Sequence, residues 1–572
     1  MQGQKSQASN PHGGGWFKRE LKFLGLFLAI ISFSNIILSS NTFALFVPTL
    51  SASVDQANLQ VNGNSVINST DKTTEIPFNF TVNTNNRTGY TATLSTETEN
   101  TALINASSAV GAKIDSISTN LTLNNLPNNT WGYKFGGTSN YAPIPALSTP
   151  AQIIQTAGKT NGNESNQLSI GMKLSDNLES GNYTNKLILS FVSNPYIMRA
   201  MMTNGPDFNT RVGNLDPNPA YYSGPDSPLT KPSIKGFKRS TVAPVSSVST
   251  INIEDPDLSD YEIKAWYNAA DQSVYYYAPV AVTYLNPNSR GMFQWFTKIE
   301  SLDFSNIDTS EVNTMHGMFY WMQNLKTINF GNFNTSNVTD MTAMFGCTFS
   351  LTELDLFSFD TSSVTQMSYM FHGTYVQKLD LSNFNTSNVI NMYSMFEATS
   401  RLKEIKFGDN FNTEKVTNMG RMFTNTPVLV GLNLSKFNTK NVTNMAHMFG
   451  GMNAIENLSL TSFDTSNVTT MNGMFSSMLS LKILDISTFN TQNVTDMGYI
   501  FAINNYESDN LTTIYASDRF TTNNVVASQG IFNYRKRLRG GNGSFLTDPN
   551  TADLTWLRVD RPGVQGYFTR KS

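Results

Sequence analysis

Apolar and polar residues follow one another along this chain in a short unit that is written eight times between Ile299 and Phe501. Each copy runs Leu-x-x-Leu-x-Leu, then Phe-Asn/Asp-Thr, then Val-x-x-Met-x-x-Met-Phe, as at Leu325, Ile328, Phe330, Phe333, Asn334, Thr335, Val338, Met341, Met344 and Phe345. The closing aromatic falls at Phe319, Phe345, Phe371, Phe396, Phe423, Phe449, Phe475 and Phe501, with a spacing of 26 residues broken once by 25 and once by 27. A fixed period of this length marks stacked repeats. The last two apolar positions of Leu-x-x-Leu-x-Leu alternate, which predicts a strand with one buried face. Val338, Met341, Met344 and Phe345 have helical spacing, which predicts a short helix. Asn337 before it has the chemistry of an N-cap, with Asp340 in the first turn, and Asn441, Asn467 and Asn493 repeat the cap. A unit this small cannot bury its apolar side alone, so neighbours must stack. The expected fold of this region is therefore an α/β solenoid, with one parallel strand plus one short helix in each 26-residue repeat. Nine strands about 4.8 Å apart offer an inner face on the order of 38 Å long, the scale of a protein-binding surface.

Upstream, residues 51–195 show strand alternation at Ile76, Phe78, Phe80 and Val82, at Tyr90, Ala92 and Leu94, and at Leu187, Leu189 and Phe191, separated by polar turn clusters. That pattern predicts a separate all-β sandwich. Prolines and glycines crowd 196–250 and no apolar period survives there, so a linker is expected. Residues 251–298 contain Tyr261 to Phe293, which end in Gly-Met-Phe one period before Phe319 and read as the opening cap of the solenoid at 299–532. Residues 533–572 read as the closing cap, and the basic run Arg535-Lys536-Arg537-Leu538-Arg539 as a solvated edge against further strand addition.

Charge changes this picture little. Charged residues are 14% of the chain and the formal net charge is −3, so neither nucleic acid nor an anionic membrane is an expected partner. The single cysteine, Cys347, excludes an intramolecular disulfide framework and reads as a small buried residue. Lys18, Arg19 and Lys22 precede an apolar run from Phe23 to Leu38, followed by Thr-Phe-Ala at Ala44. Residues 1–44 are thus a signal peptide, or alternatively an uncleaved N-terminal membrane anchor, and either predicts export.

Candidate chemistry is sparse. His316, His372 and His447 occupy different registers of the repeat and make no ladder. None of the common hydrolase, zinc or phosphate-loop motifs occurs. The paired methionines, such as Met341 and Met344, are core positions, and no metal or other cofactor is expected. The acidic cluster Asp255, Asp257, Asp260 and Glu262 reads as a solvated loop ahead of a calcium site. Binding by the strand face would use the outward residue between the two strand leucines. Down the stack that position reads Asp303, Asn329, Asp355, Asp380, Lys406, Asn433, Ser459 and Asp485, flanked by a second column that includes Glu353 and Glu404. Such a polar, mildly acidic stripe suits wet contact with a protein or glycan; a merely solvated face is the competing reading. Exposed aromatics such as Phe357 and Tyr393 are alternative anchors.

The repeats, above all Phe-Asn-Thr-Ser-Asn-Val-Thr-Asp-Met-x-x-Met-Phe at Phe333 to Phe345, resemble the BspA-like leucine-rich repeat surface proteins, and the resemblance extends roughly from Tyr261 to Phe568. It implies a bacterial or protist surface protein that adheres to host or neighbouring-cell protein or glycan, and it supplies no catalytic residues. The expected function is cell-surface adhesion without enzyme activity. A purely structural envelope component and a glycan hydrolase are the alternatives.

Overall fold

The computed structural model describes residues 27–31, 45–223 and 228–571. The described residues divide into two compact units, one holding 27–31 and 47–197 and the other 45–46 and 198–571. Most of the expected signal or anchor lies outside the described residues. Its described part, Phe27–Ile31, is a strand paired in parallel with Leu187–Ser193. No described helix is long and apolar enough to cross a membrane.

In the first unit, a sheet carrying Leu187–Ser193, Tyr90–Thr96 and Ala151–Gln155 and a larger sheet built on Thr73–Thr84, Glu164–Lys173 and Thr130–Phe135 share one core. The alternating residues meet there: Phe80 of one sheet packs against Phe191 of the other at 5.3 Å between ring centroids.

The second unit has a continuous apolar core from Ala200 to Phe568. The stretch 196–250, expected as a linker, contributes to it. Asn204 accepts a hydrogen bond from the Asp207 backbone and Pro206 opens the first turn of a helix at Gly205–Gly213. Phe208 and Val212 of that helix are buried, and Phe208 sits edge-on to Phe293 at 5.3 Å. Proline and glycine density marks turns whether or not they are packed, which is why composition alone read this segment as free.

The expected α/β solenoid, with a helix in each repeat, does not form. Among the described residues the only α-helices are Gly63–Ile67 and Gly205–Gly213, and neither lies in the repeats. Every copy is instead a short extended segment followed by a run of tight turns. The backbone hydrogen bonds of Met341 to Cys347 give the reason. The N–H groups of Met341, Ala343, Phe345 and Cys347 donate to the carbonyls of Gln366, Ser368, Met370 and His372 in the next copy, at 2.7–3.0 Å. The N–H groups of the intervening Met344 and Gly346 close four-residue β-turns onto the Met341 and Ala343 carbonyls, and Thr342 N–H donates to the Asp340 carboxylate. No N–H is left for a helix. Ala343 and Cys347 hold φ of 53° and 58°, as do Tyr369, Ser394, Arg421 and His447 at corresponding positions, and left-handed residues this frequent interrupt any right-handed helix. Successive β-turns place side chains on one face at i and i+3, so they imitate helical spacing in sequence.

Parallel bridges link the copies one to the next, from Asn288 through Thr314, Asp340, Gln366, Asn391, Asn418, Asn444, Thr470 and Asp496 to Ala527. Behind them the closing phenylalanines stack nearly plane on plane, with Phe345–Phe371, Phe371–Phe396 and Phe423–Phe449 at 5.7–6.0 Å and within 5° of parallel. Met341, Met344 and their counterparts are fully buried. Asn337, expected as a helix cap, reaches backward and donates Nδ2 to the Ser310 carbonyl of the preceding copy at 2.7 Å, and Asn441, Asn467 and Asn493 do the same.

At the closing end, Arg535 of the basic run is buried, in contrast to the solvated edge expected. Its Nε donates to the Phe501 carbonyl at 2.6 Å and its guanidinium pairs with buried Asp509 at 3.2 Å.

Candidate functional site

The buried threonine of Phe-Asn/Asp-Thr fixes the corner from which the outward strand face departs. Thr439 Oγ1 accepts from the Asp464 N–H and donates to the Asp464 carbonyl, both at 2.8 Å, and the same two-way bond recurs at Thr361 and Thr465. The neighbouring Asn or Asp folds its own turn, as where Asn334 Oδ1 accepts from Ser336 N–H at 3.0 Å.

The predicted column lies at the surface for nearly its whole length. Asp303, Asn329, Asp355, Asp380, Lys406, Asn433 and Ser459 are exposed, as are Glu353 and Glu404, while Asp485 is half-buried. Most of them have a local task that the spacing did not reveal. Asp303, Asn329, Asp355, Asp380, Asn433 and Asp485 each accept a hydrogen bond from the backbone N–H two residues on, at 2.9–3.2 Å, which ends the strand in a turn. Asn329 also donates to Asp303 at 2.9 Å, Lys406 pairs with Asp380 and Lys378 with Glu404 at 3.1 Å, and Lys571 pairs with Asp485. The Ser382 hydroxyl and N–H, followed by Lys406, hold the Asp380 carboxyl down at about 2. Burial pushes the Asp485 carboxyl up, but Lys571 and the Ser487 turn together outweigh it and leave it below the ordinary range.

The column is not one sheet. Ser301–Asp303 pairs with Thr327–Asn329, Lys378–Leu381 with Glu404–Phe407, and Ile483–Asp485 with Thr513–Ala516. The stretches 353–356, 430–434 and 456–460 are not strands. At the first of these interruptions the faces of two copies part into an open cleft of about 590 Å³, lined by Thr352 to Phe357 and by Gln377, Lys378, Asp380, Ser382 and Asn383. Across it, Gln377 N–H reaches the Thr352 carbonyl at 3.2 Å, and Asn383 Nδ2 bridges to the carbonyls of Leu356, Phe357 and Phe359 at 2.9–3.2 Å. The copy beyond the cleft is the one that is a residue short, between Phe371 and Leu379.

The cleft brings together Glu353, Asp355 and Asp380 of the predicted residues, and it adds Gln377 and Asn383, which spacing did not single out. Phe357 stands on its rim, 86% exposed. Corresponding turn positions hold Ser305, Gly331, Ser382, Ser435, Thr461 and Ser487, so the aromatic departs from the repeat where the ladder opens. That departure, with the shortened period, was the signal available in the sequence.

Elsewhere the candidates are structural. Asp255 folds its own loop and accepts from Asn286 Nδ2 at 2.7 Å, and Asp260 accepts from the Arg199 N–H at 2.8 Å. Among the described residues no group of histidine, cysteine or acidic side chains is arranged to hold a metal ion. Burial pushes the Cys347 thiol up to about 11, which leaves it protonated and unreactive at neutral pH.

These features define a protein of stacked, turn-rich repeats with a cleft in its outward strand face. A family model described as Mycoplasma protein of unknown function, DUF285, matches residues 288–407 and 403–515, which is the repeat region and less than half of the chain. The match is consistent with a repeat family of the kind the sequence resembles, and it carries no activity. No curated protein and no solved structure matches the chain.

Proposed function

We propose that this is an exported, non-catalytic recognition protein that binds a protein or glycan of a host or neighbouring cell through the outward face of its repeats. One observation carries the reading: at the first interruption of the strand column an exposed aromatic, Phe357, departs from the repeat beside a cleft with polar groups converging on it. A face that only met solvent has no physical need for either feature. The remainder of the column is occupied by turn closure and ion pairs, so the reading centres on this cleft and not on the whole stripe. The test is saturable binding of the full chain to host or neighbouring-cell surfaces. Phe357→Ser is expected to weaken it at least about tenfold with the melting temperature unchanged, as for a rim anchor. Unsaturable uptake accompanied by self-assembly of the chain would point to a structural envelope role and end the proposal.

A further inference from the structure

The cleft beside Phe357 has a chemistry narrower than "protein or glycan", and its assignment rests on the recognition role proposed above. Its volume, about 590 Å³, lies in the range of sites for small ligands, whereas a protein partner commonly covers about 800 Å² of a flatter face. Its polar groups are of both kinds. Glu353 and Gln377 make no side-chain hydrogen bond among the described residues, and Asp355 commits only Oδ1, to the Phe357 N–H at 3.0 Å. Acceptors and an amide donor are therefore free side by side, which is what a hydroxyl, itself donor and acceptor, requires. The cations nearby are engaged: Lys378 with Glu404 and Lys406 with Asp380. An anionic ligand would face unopposed carboxylates. Phe357 supplies the apolar element, because the electron-rich face of an exposed ring attracts the polarised C–H groups on the flat side of a pyranose.

We propose that this cleft binds a neutral oligosaccharide, with a sugar ring seated on Phe357 and its hydroxyls held by Glu353, Asp355 and Gln377. The ligand is a short, uncharged glycan segment that can present one flat C–H face of a pyranose to the ring. Sialylated and uronic-acid glycans are disfavoured by Glu353 and Asp355.

The experiment uses the full chain on an array of defined oligosaccharides, including cellotriose, chitotriose, maltotriose and a sialylated trisaccharide, followed by titration calorimetry with the best neutral binder. Phe357→Ser is expected to abolish binding on the array, and Glu353→Gln or Asp355→Asn each to weaken it about tenfold through loss of a charge-assisted bond. All three side chains are exposed, so unchanged melting curves confirm that the variants are folded. In parallel, intact cells are treated with periodate to destroy vicinal diols before binding is measured. Loss of binding after periodate supports the glycan. Binding that survives periodate but falls with Phe357→Ser assigns a protein ligand to the cleft, which overturns this inference and leaves the recognition role standing. Cell binding indifferent to both treatments overturns both. Preference for the sialylated probe also overturns the inference.

Discussion

The two long edges of the repeat stack are built from the same period but to different standards. Along the Met-Met-Phe edge, each copy gives alternate N–H groups to the next without a gap from Asn288 to Ala527, and the phenylalanine rings stack behind them. Along the strand edge, pairing holds only in separate patches and parts at 353–356. The turns, and not the strands, therefore form the spine. An edge that is fully hydrogen-bonded and backed by core holds its backbone fixed, while the other edge is free to vary and to open, as functional loops on rigid scaffolds do.

Emptying the spine tests this contrast most severely. Phe423→Ala removes a fully buried ring from between Phe396 and Phe449 and is expected to cost about 3–5 kcal/mol, whereas Leu432→Ala, half-buried where the strand edge is unpaired, should cost clearly less. Equal losses in denaturant titrations would mean that neither edge dominates. Thr439→Val keeps the shape and removes a hydroxyl that serves the next copy twice, so about 1–3 kcal/mol is expected from the carbonyl and N–H it orphans. A neutral result would show that water replaces it and that the threonine ladder adds nothing to the spine.

A pH titration separates the edges more gently. Burial holds the His372 imidazole below its ordinary value, and burial with the Arg421 charge does the same for His447, both on the turn edge. A depressed histidine binds its proton less readily folded than unfolded, so stability is complete above the ordinary value near 6.5 and declines as pH falls below it. Glu397, 3.7 Å from His372 and paired with Arg421, limits the decline. On the strand edge, Asp380 at about 2 contributes stability above the ordinary carboxylate range that is lost only as pH falls toward 2. Melting between pH 7 and 5 should therefore fall in the native chain and fall less in His372→Gln. An identical slope in the variant would remove His372 from the account.

Much of the core was legible in the sequence. The period, the burial of Met341, Met344 and Phe345, the turn role of Asn334 and the seclusion of Cys347 follow from residue type and spacing, because apolar side chains at a fixed interval have one place to go. The helix was misread because consecutive turns and a helix share the i, i+3 repeat, and only the hydrogen-bond partners tell them apart. The linker was misread because Phe208 and Val212 are a single i, i+4 pair amid Pro and Gly, too short a pattern to announce that a distant Phe293 would cover them. Of the candidate site, the outward direction of Asp355 and Glu353 was readable from alternation, while their convergence with Gln377 and Asn383 was not.

Residue order alone requires that small, near-identical modules stack, and it says which side chains they hide, since hydrophobic pattern is a property of succession along the chain. Where each backbone N–H goes, and where two copies part, was settled only by the folded arrangement, because both depend on what a neighbour 26 residues away presents in return. At Phe357 two copies part beside the shortened one, and the wall is a cleft.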